Sequence, residues 1–253
     1  MKRILVTNDD GVRSEGIQAL ADALRPLGEI TVVAPLTEAS AIGHALTLRR
    51  PLRLETLSER VYAVDGTPTD CVNIAITSVM RAMPDLVVSG INKGWNLGDD
   101  VTYSGTVSGA FEAALLGAPG IAVSLQRTDG SFDFTESARA AYLVAQSVLA
   151  RGLPSRVFLN INVPAGPTKG FKVTVQAKRN HITQVSERTD PRGQKYFWIE
   201  EGQNEWEPHD RSDFQAVRDG YISITPLQPD LTAHSVIPAI EVFPFTLESP
   251  VTT

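Results

Sequence analysis

A single cysteine, Cys71, is all the sequence holds, so no intrachain disulfide forms and nothing speaks for an oxidising compartment. No apolar run approaches the roughly 18 consecutive residues that a membrane-spanning helix needs. Met1-Lys2-Arg3 leads straight into a short strand, too short for a signal-peptide core. The expectation is a cytoplasmic protein with no membrane partner. Basic residues are outnumbered, 23 against 29 acidic ones for a net charge of −6, which argues against a general nucleic-acid surface. A phosphorylated small molecule stays open, provided a metal or a helix terminus supplies local positive charge. There is no G-x-x-x-x-G-K-[ST] and no G-x-G-x-x-G after the first strand, so P-loop and dinucleotide-binding readings drop out.

What is present is alternation. The length, 253 residues, suits one large α/β domain or a domain with an appendage. Ile4-Leu5-Val6 reads as a short buried strand, and Ile17, Leu20, Ala21, Leu24 and Leu27 follow at helical spacing until Gly28 stops the helix. Ile30–Ala34 is the next strand, and this strand–helix–strand opening implies a parallel sheet with a right-handed crossover. The same reading places strands at "PDLVVSG", "IAVSL" and "RVFLNINVP". Helices are expected after Asp65–Pro68, with Thr69 or Asp70 as cap, over "TVSGAFEAALLG" as far as Gly117, and over 135–150. "LTLRRPLRLE" alternates apolar and basic residues and is expected to be extended and half-exposed. The fold class is therefore α/β, a Rossmann-like, doubly wound, mostly parallel sheet over residues 1–178. Residues 179–253 change character into a β-rich appendage, in which "QVSERTDPRGQKYFWIEE" reads as an extended hairpin arm around Asp190–Gly193.

Chemistry in such sheets gathers beyond the carboxyl ends of the strands. There the sequence places Asn8, Asp9 and Asp10 after the first strand, Ser40 after the second, and Asn92 and Asn96 after "LVVSG". Two adjacent carboxylates repel unless something neutralises them. A shared cation would make both of them ligands, and an all-oxygen donor set without Cys or paired His selects Mg²⁺ or Mn²⁺ over zinc. Ser104-Gly105-Thr106 enters a helix whose first-turn amides lack partners, which suits a phosphate cradle. Each element has a plainer reading too. Asp9-Asp10 fits a solvated turn, Ser40 a loop residue, Ser104 or Thr106 an N-cap, Lys93 and His44 surface positions, and Cys71 a small buried hydrophobe. Their common place at strand ends favours the site.

These motifs resemble those of the SurE family, the survival-protein E nucleotidases. "ILVTNDDG", "APLTEASAIGHALTL", "VDGTPTDCV", "DLVVSGINKGWNLGDDVTYSGTVSGAFEAALLGAPGIAVS" and "DGYISITPLQPDLTA" match its successive signatures in order, over nearly the whole chain. The resemblance implies a phosphatase that depends on one divalent cation, acting on nucleoside 5′- and 3′-monophosphates and in some members on short polyphosphate. It implies metal ligation by Asp9, Asp10, Ser40 and Asn92, and phosphate contacts from Asn96, Ser104, Gly105 and Thr106. It also implies a homodimer or homotetramer assembled through the C-terminal appendage. Two mechanisms stay open, attack by an activated water and attack by Asp9 or Asp10. A rival reading is a metal- and nucleotide-binding sensor without turnover on the same fold.

Overall fold

Ile4, Leu5 and Val6 of β1 (Arg3–Thr7) are wholly inaccessible to solvent, since β1 has a parallel neighbour on each edge and helices on each face. The computed structural model describes residues 1–128, 130, 132–243 and 245, apart from the side chains of 179–183 and 200–204. The expected appendage runs to Thr253, and its residues 244 and 246–253 lie outside the described ones. From β1 the chain passes through α1 (Glu15–Leu24) to β2 (Glu29–Pro35), then β3 (Leu54–Ser58) and β4 (Val61–Val64). α2 (Pro68–Ile74) leads to β5 (Leu86–Lys93), α3 (Gly105–Leu116) to β6 (Gly120–Leu125), and α4 (Thr135–Arg151) to β7 (Phe158–Val163). β8 (Phe171–Val173), β9 (Arg179–Thr189), β10 (Lys195–Trp206), α5 (Asp213–Arg218), β11 (Ile222–Leu227) and α6 (Ile237–Glu241) complete the described elements.

Nine strands form one sheet in the order β3-β4-β2-β1-β5-β6-β7-β11-β8. The run from β4 through β7 is parallel, while β3 and β11 pair antiparallel to β4 and β7. α1 and α4 cover one face, burying Ile17, Leu20, Ala141 and Val144 against Ile4, Val6, Val88 and Ile121. α2 and α3 cover the other, with Cys71, Val72 and Ala113 on Leu5, Val33 and Val87. Burying such a leucine fully stabilises the fold by about 1.5–3 kcal/mol, and truncating Leu5 or Leu20 to alanine would cost about 2–5 kcal/mol. The doubly wound architecture is the one the alternation implies.

One local expectation changes and two gain detail. α2 is capped by Thr67, before the expected Thr69 or Asp70, because Pro68 occupies the first helical position. Asp70 instead closes a capping box on the Thr67 backbone N–H at 2.9 Å. Residues 46–53, expected to be extended and half-exposed, are exposed or half-buried and lie outside any strand, with β3 beginning at Leu54. Two of their backbone donors are taken by side chains, Thr47 N–H by Asp70 at 2.9 Å and Arg53 N–H by Asp65 at 2.6 Å. The last quarter of the chain divides its strands between two sheets. β9 and β10 make a separate two-stranded ribbon, after which α5 and β11 return and β11 inserts between β7 and β8.

Candidate metal and phosphate site

Strand order reverses at β1: β2 and β4 lie to one side, β5, β6 and β7 to the other. Loops leaving β1 and β5 diverge there and open a crevice at the carboxyl ends. Asp9 and Asp10 follow β1 directly, and Asn92 stands at the end of β5. The turn between β1 and α1 is built for tightness. Gly11 takes φ +98, a conformation that side chains disfavour. Asn8 ties the turn together by donating to the Gly11 carbonyl at 3.0 Å and to Ser14 Oγ at 2.8 Å. Ser14 in turn caps α1.

Asp9 is 5% exposed and lies against the N-terminus of α3. A Cβ on Gly105 would stand 2.8 Å from Asp9 Cβ and 2.9 Å from Oδ2, so glycine is what admits the aspartate. Thr106 donates its hydroxyl to Asp9 Oδ1. Burial raises the Asp9 carboxyl above its ordinary range, and hydrogen bonds from the Thr106 hydroxyl and backbone N–H oppose that rise. The anion that sits on this helix terminus is therefore the protein's own carboxylate. Thr106 has spent its one hydroxyl hydrogen on it. Ser104 differs: it caps α3 by accepting Val107 N–H at 3.1 Å, which keeps its own hydroxyl hydrogen for a ligand. Gly105 N–H, at the first helical position, has no intrahelical acceptor.

The Asp10 carboxyl is pushed up to about 6, first by burial and then by the charge of Asp9, against the opposing influence of Lys93. Its Oδ2 is buried with no hydrogen-bond partner, as is Asn8 Oδ1. Asn92 uses its amide nitrogen on the Gly94 carbonyl at 3.0 Å. Ser40 is exposed, and its hydroxyl donates to Glu38 at 2.5 Å. The Ser40 loop reaches the carboxylates one residue earlier, where Ala39 N–H donates to the Asp9 carbonyl at 2.8 Å. Among the described residues no three His, Cys, Asp or Glu side chains gather as a metal cluster. The available set is thus two carboxylates with amide and hydroxyl oxygens, which suits a hard cation that keeps several waters. An orphaned, buried carboxylate oxygen beside a second carboxylate fits such an ion.

Asn96 follows β5 in the loop leading toward α3. It is 7% exposed and donates from Nδ2 to Ser124 Oγ at 2.7 Å. Several contributors escape a local reading of the sequence. Glu38 lies near enough to raise both aspartates, and Lys93 is paired with Glu15 at 3.2 Å and stacked over Phe132 and Phe134. His44 is no free surface residue, since it meets Glu112 at 2.7 Å and the edge of Phe111 at a centroid distance of 4.5 Å. Asn160 and Asn162 hold Asn96 from β7. The only sequence signal for that pair is the period-two "NIN" in an otherwise apolar strand.

Paired carboxylates at the switch point of a doubly wound sheet, backed by a helix N-terminus and neutral oxygens, define an α/β protein suited to a hard cation and an anionic ligand. The family model described as "Survival protein SurE" matches residues 4–183. The 5′-nucleotidase SurE of Pelobacter propionicus is 54% identical over 245 residues, covering 96% of this chain and 99% of the relative. The 5′-nucleotidase SurE 1 of Thermus thermophilus is 50% identical over 244 residues, covering 94% and 96%. Among solved structures, the SurE protein from Aquifex aeolicus superposes with a TM-score of 0.85 at 42% identity, covering 94% of this chain and 98% of that one. The chain belongs to the SurE family.

Proposed function

We propose that the protein is a metal-dependent nucleotidase that hydrolyses nucleoside 5′- and 3′-monophosphates to nucleoside and phosphate, with short polyphosphate as a further substrate. The observation that carries this reading is the Asp9–Asp10 pair, Asp9 buried and Asp10 half-buried with its Oδ2 enclosed and unpartnered at the switch point. The relatives' names supply the substrate class. Asp9 and Asp10 would hold one Mg²⁺ or Mn²⁺, with Asn92 and Ser40 oxygens as further ligands. When bound, the cation polarises a phosphate oxygen and acidifies a water. The Ser104 hydroxyl and Gly105 N–H orient the phosphoryl group, with Asn96 at its flank, and the Thr106 backbone adds the positive end of the helix dipole. Thr106 fixes Asp9 through two hydrogen bonds, which commits that carboxylate to binding and leaves attack to a water. The setting is cytoplasmic in this reading; among the described residues no helix is long and apolar enough to cross a membrane.

In the same reading residues 1–178 carry the chemistry and 179–253 carry assembly into a homodimer or homotetramer. The ribbon exposes Phe197 (59%), Trp198 (55%) and Ile199 (78%), and α6 buries none of its residues. A two-stranded ribbon is marginal alone in water, and exposed apolar side chains on both of its faces suit packing on a second copy of the chain. Phosphate release from a nucleoside monophosphate, with EDTA and after restoring Mn²⁺, tests the function. Cation-dependent release is expected. Nucleotide binding without release would replace the enzyme by a sensor.

A further inference from the structure

Asn160 and Asn162 lie on β7 and are 0% exposed. The strand's period of two turns both amides to one side of the sheet. Asn162 Oδ1 accepts the Asn96 backbone N–H at 2.8 Å, and Asn162 Nδ2 donates to the Asn96 carbonyl at 3.0 Å. Asn160 Nδ2 donates to the same carbonyl at 2.8 Å. The main chain of Asn96 is thus bonded on both sides by side chains, as a neighbouring strand would bond it. Ser124 on β6 then fixes the Asn96 side chain by accepting from its Nδ2 at 2.7 Å. Residues 95–97 have no helix or strand of their own, so these bonds replace secondary structure as what locates Asn96. Trp95 adds one more tie to the end of β7, donating from Nε1 to the Val163 carbonyl at 2.8 Å.

We propose that Asn162, with Asn160 and Ser124, is a positioning residue for the phosphoryl site. β7 and β6 together aim Asn96, although neither asparagine of β7 is itself placed in the site. The physical ground is that buried hydrogen-bond networks restrict geometry. Both ends of the Asn162 amide are bonded to Asn96, while Asn160 contributes its Nδ2 and leaves its Oδ1 without a partner. A displacement of about 1 Å in a group that orients substrate can cost about 100-fold in rate. Groups that hold ligating residues from behind typically matter by about 10–100-fold. The inference rests on the nucleotidase reading for its substrate.

The test is a double-mutant cycle between Asn96→Ala and Asn162→Leu, the latter similar in size but without donor or acceptor. kcat and KM for a nucleoside monophosphate with Mn²⁺ are measured well below the melting temperature, beside the affinity for inorganic phosphate by calorimetry. Each single variant is expected to lose about 10–100-fold in kcat/KM and to bind phosphate correspondingly more weakly. The double variant should fall no more than about threefold below the weaker single, because Asn162 acts through Asn96. Losses that multiply in the double variant overturn the proposal. So does a lowered melting temperature with unchanged kcat/KM and phosphate affinity. Ser124→Ala removes one acceptor without adding charge or volume, and carries the same cycle if Asn162→Leu does not fold. A wild-type protein that releases no phosphate would refute the nucleotidase reading, while the phosphate-affinity cycle would still decide the positioning role.

Discussion

The mouth of β1 and the β9–β10 ribbon break the same rule of protein interiors in opposite senses. At β1 polar groups are buried, and one carboxylate oxygen of Asp10 lies inside without a partner. On the ribbon apolar groups stand in solvent, with Phe197, Trp198 and Ile199 in sequence and exposed. Each departure costs stability in the isolated chain, and each names the chemistry that would offset it. Buried oxygens call for a cation, and exposed aromatics call for another apolar surface. Other polar atoms are buried without partners, Thr7 and Ser89 hydroxyls among them, and other apolar side chains such as Leu48 and Leu231 are exposed. Among the described residues, only at β1 is the orphan a carboxylate beside a second carboxylate.

Removing the buried charge breaks the comparison at the β1 end with the largest effect. Asp9→Asn and Asp10→Asn are each expected to lower kcat/KM by about 100- to 1000-fold or more, while the melting temperature of the metal-free protein holds or rises. Phosphate release and thermal unfolding in EDTA check both halves. Activity near that of the wild type at limiting Mn²⁺ in either variant would place the cation elsewhere. Next comes Thr106→Val, which keeps the shape but removes the hydroxyl that donates to Asp9. Losing a hydrogen bond to a charged group costs roughly 1.5–3 kcal/mol, or about 10- to 150-fold in kcat/KM. Ser104→Ala is the contrast, since loss of the cap lowers stability by about 1 kcal/mol. A drop in kcat/KM there, beyond the loss of stability, would separate a phosphate donor from a plain cap.

At the ribbon the expected change is a halving or quartering of mass. Deletion of residues 184–199 should lower the oligomeric state seen by light scattering, and an unchanged mass would remove the ribbon from the interface. The smallest effect concerns protons. The Asp10 carboxyl titrates near 6 when folded against a reference of 3.8, so the folded state holds this proton more tightly than the unfolded chain. Unfolding then releases protons, and stability of the metal-free protein falls as pH rises from about 4 through about 6. Thermal unfolding in EDTA between pH 4.5 and 7.5 should show that slope, and Asp10→Asn should flatten it. An identical slope in the variant would assign the proton to another group.

The elements that could be read in advance are those whose information is local. α1 and α4 show their buried stripe at helical spacing, and Gly117 closes α3 where expected, whereas α1 ends at Leu24 and a 3-10 turn containing Pro26, Arg25–Leu27, carries the chain on to Gly28. Asp9, Asp10, Gly105 and Thr106 were legible as strand-end and helix-start residues, and the fold brings them together. What could not be read is who bonds to whom across the sheet. The Thr106 hydroxyl, suited on its own to a phosphate, goes to a carboxylate 97 residues away in the chain. Residues 46–53 alternate like a strand, yet two of their amides find side-chain acceptors before a neighbouring strand. β11 was legible as a strand, but nothing in "YISITPL" encodes that β7 leaves an edge for it. Long-range pairing, not local propensity, decided each of these.

Protein engineers commonly replace glycine by alanine inside helices, expecting roughly 0.5–1 kcal/mol of added stability from a stiffer unfolded chain. α3 reverses that advice along its sheet-facing side. A methyl on Gly109 would stand 2.8 Å from Ser89 Oγ and 2.9 Å from a Thr7 methyl, and one on Gly105 would meet Asp9. Thermostabilising libraries built on this scaffold should leave both positions untouched, because the volume those glycines omit is the room that the end of β1 and the neighbouring β5 occupy.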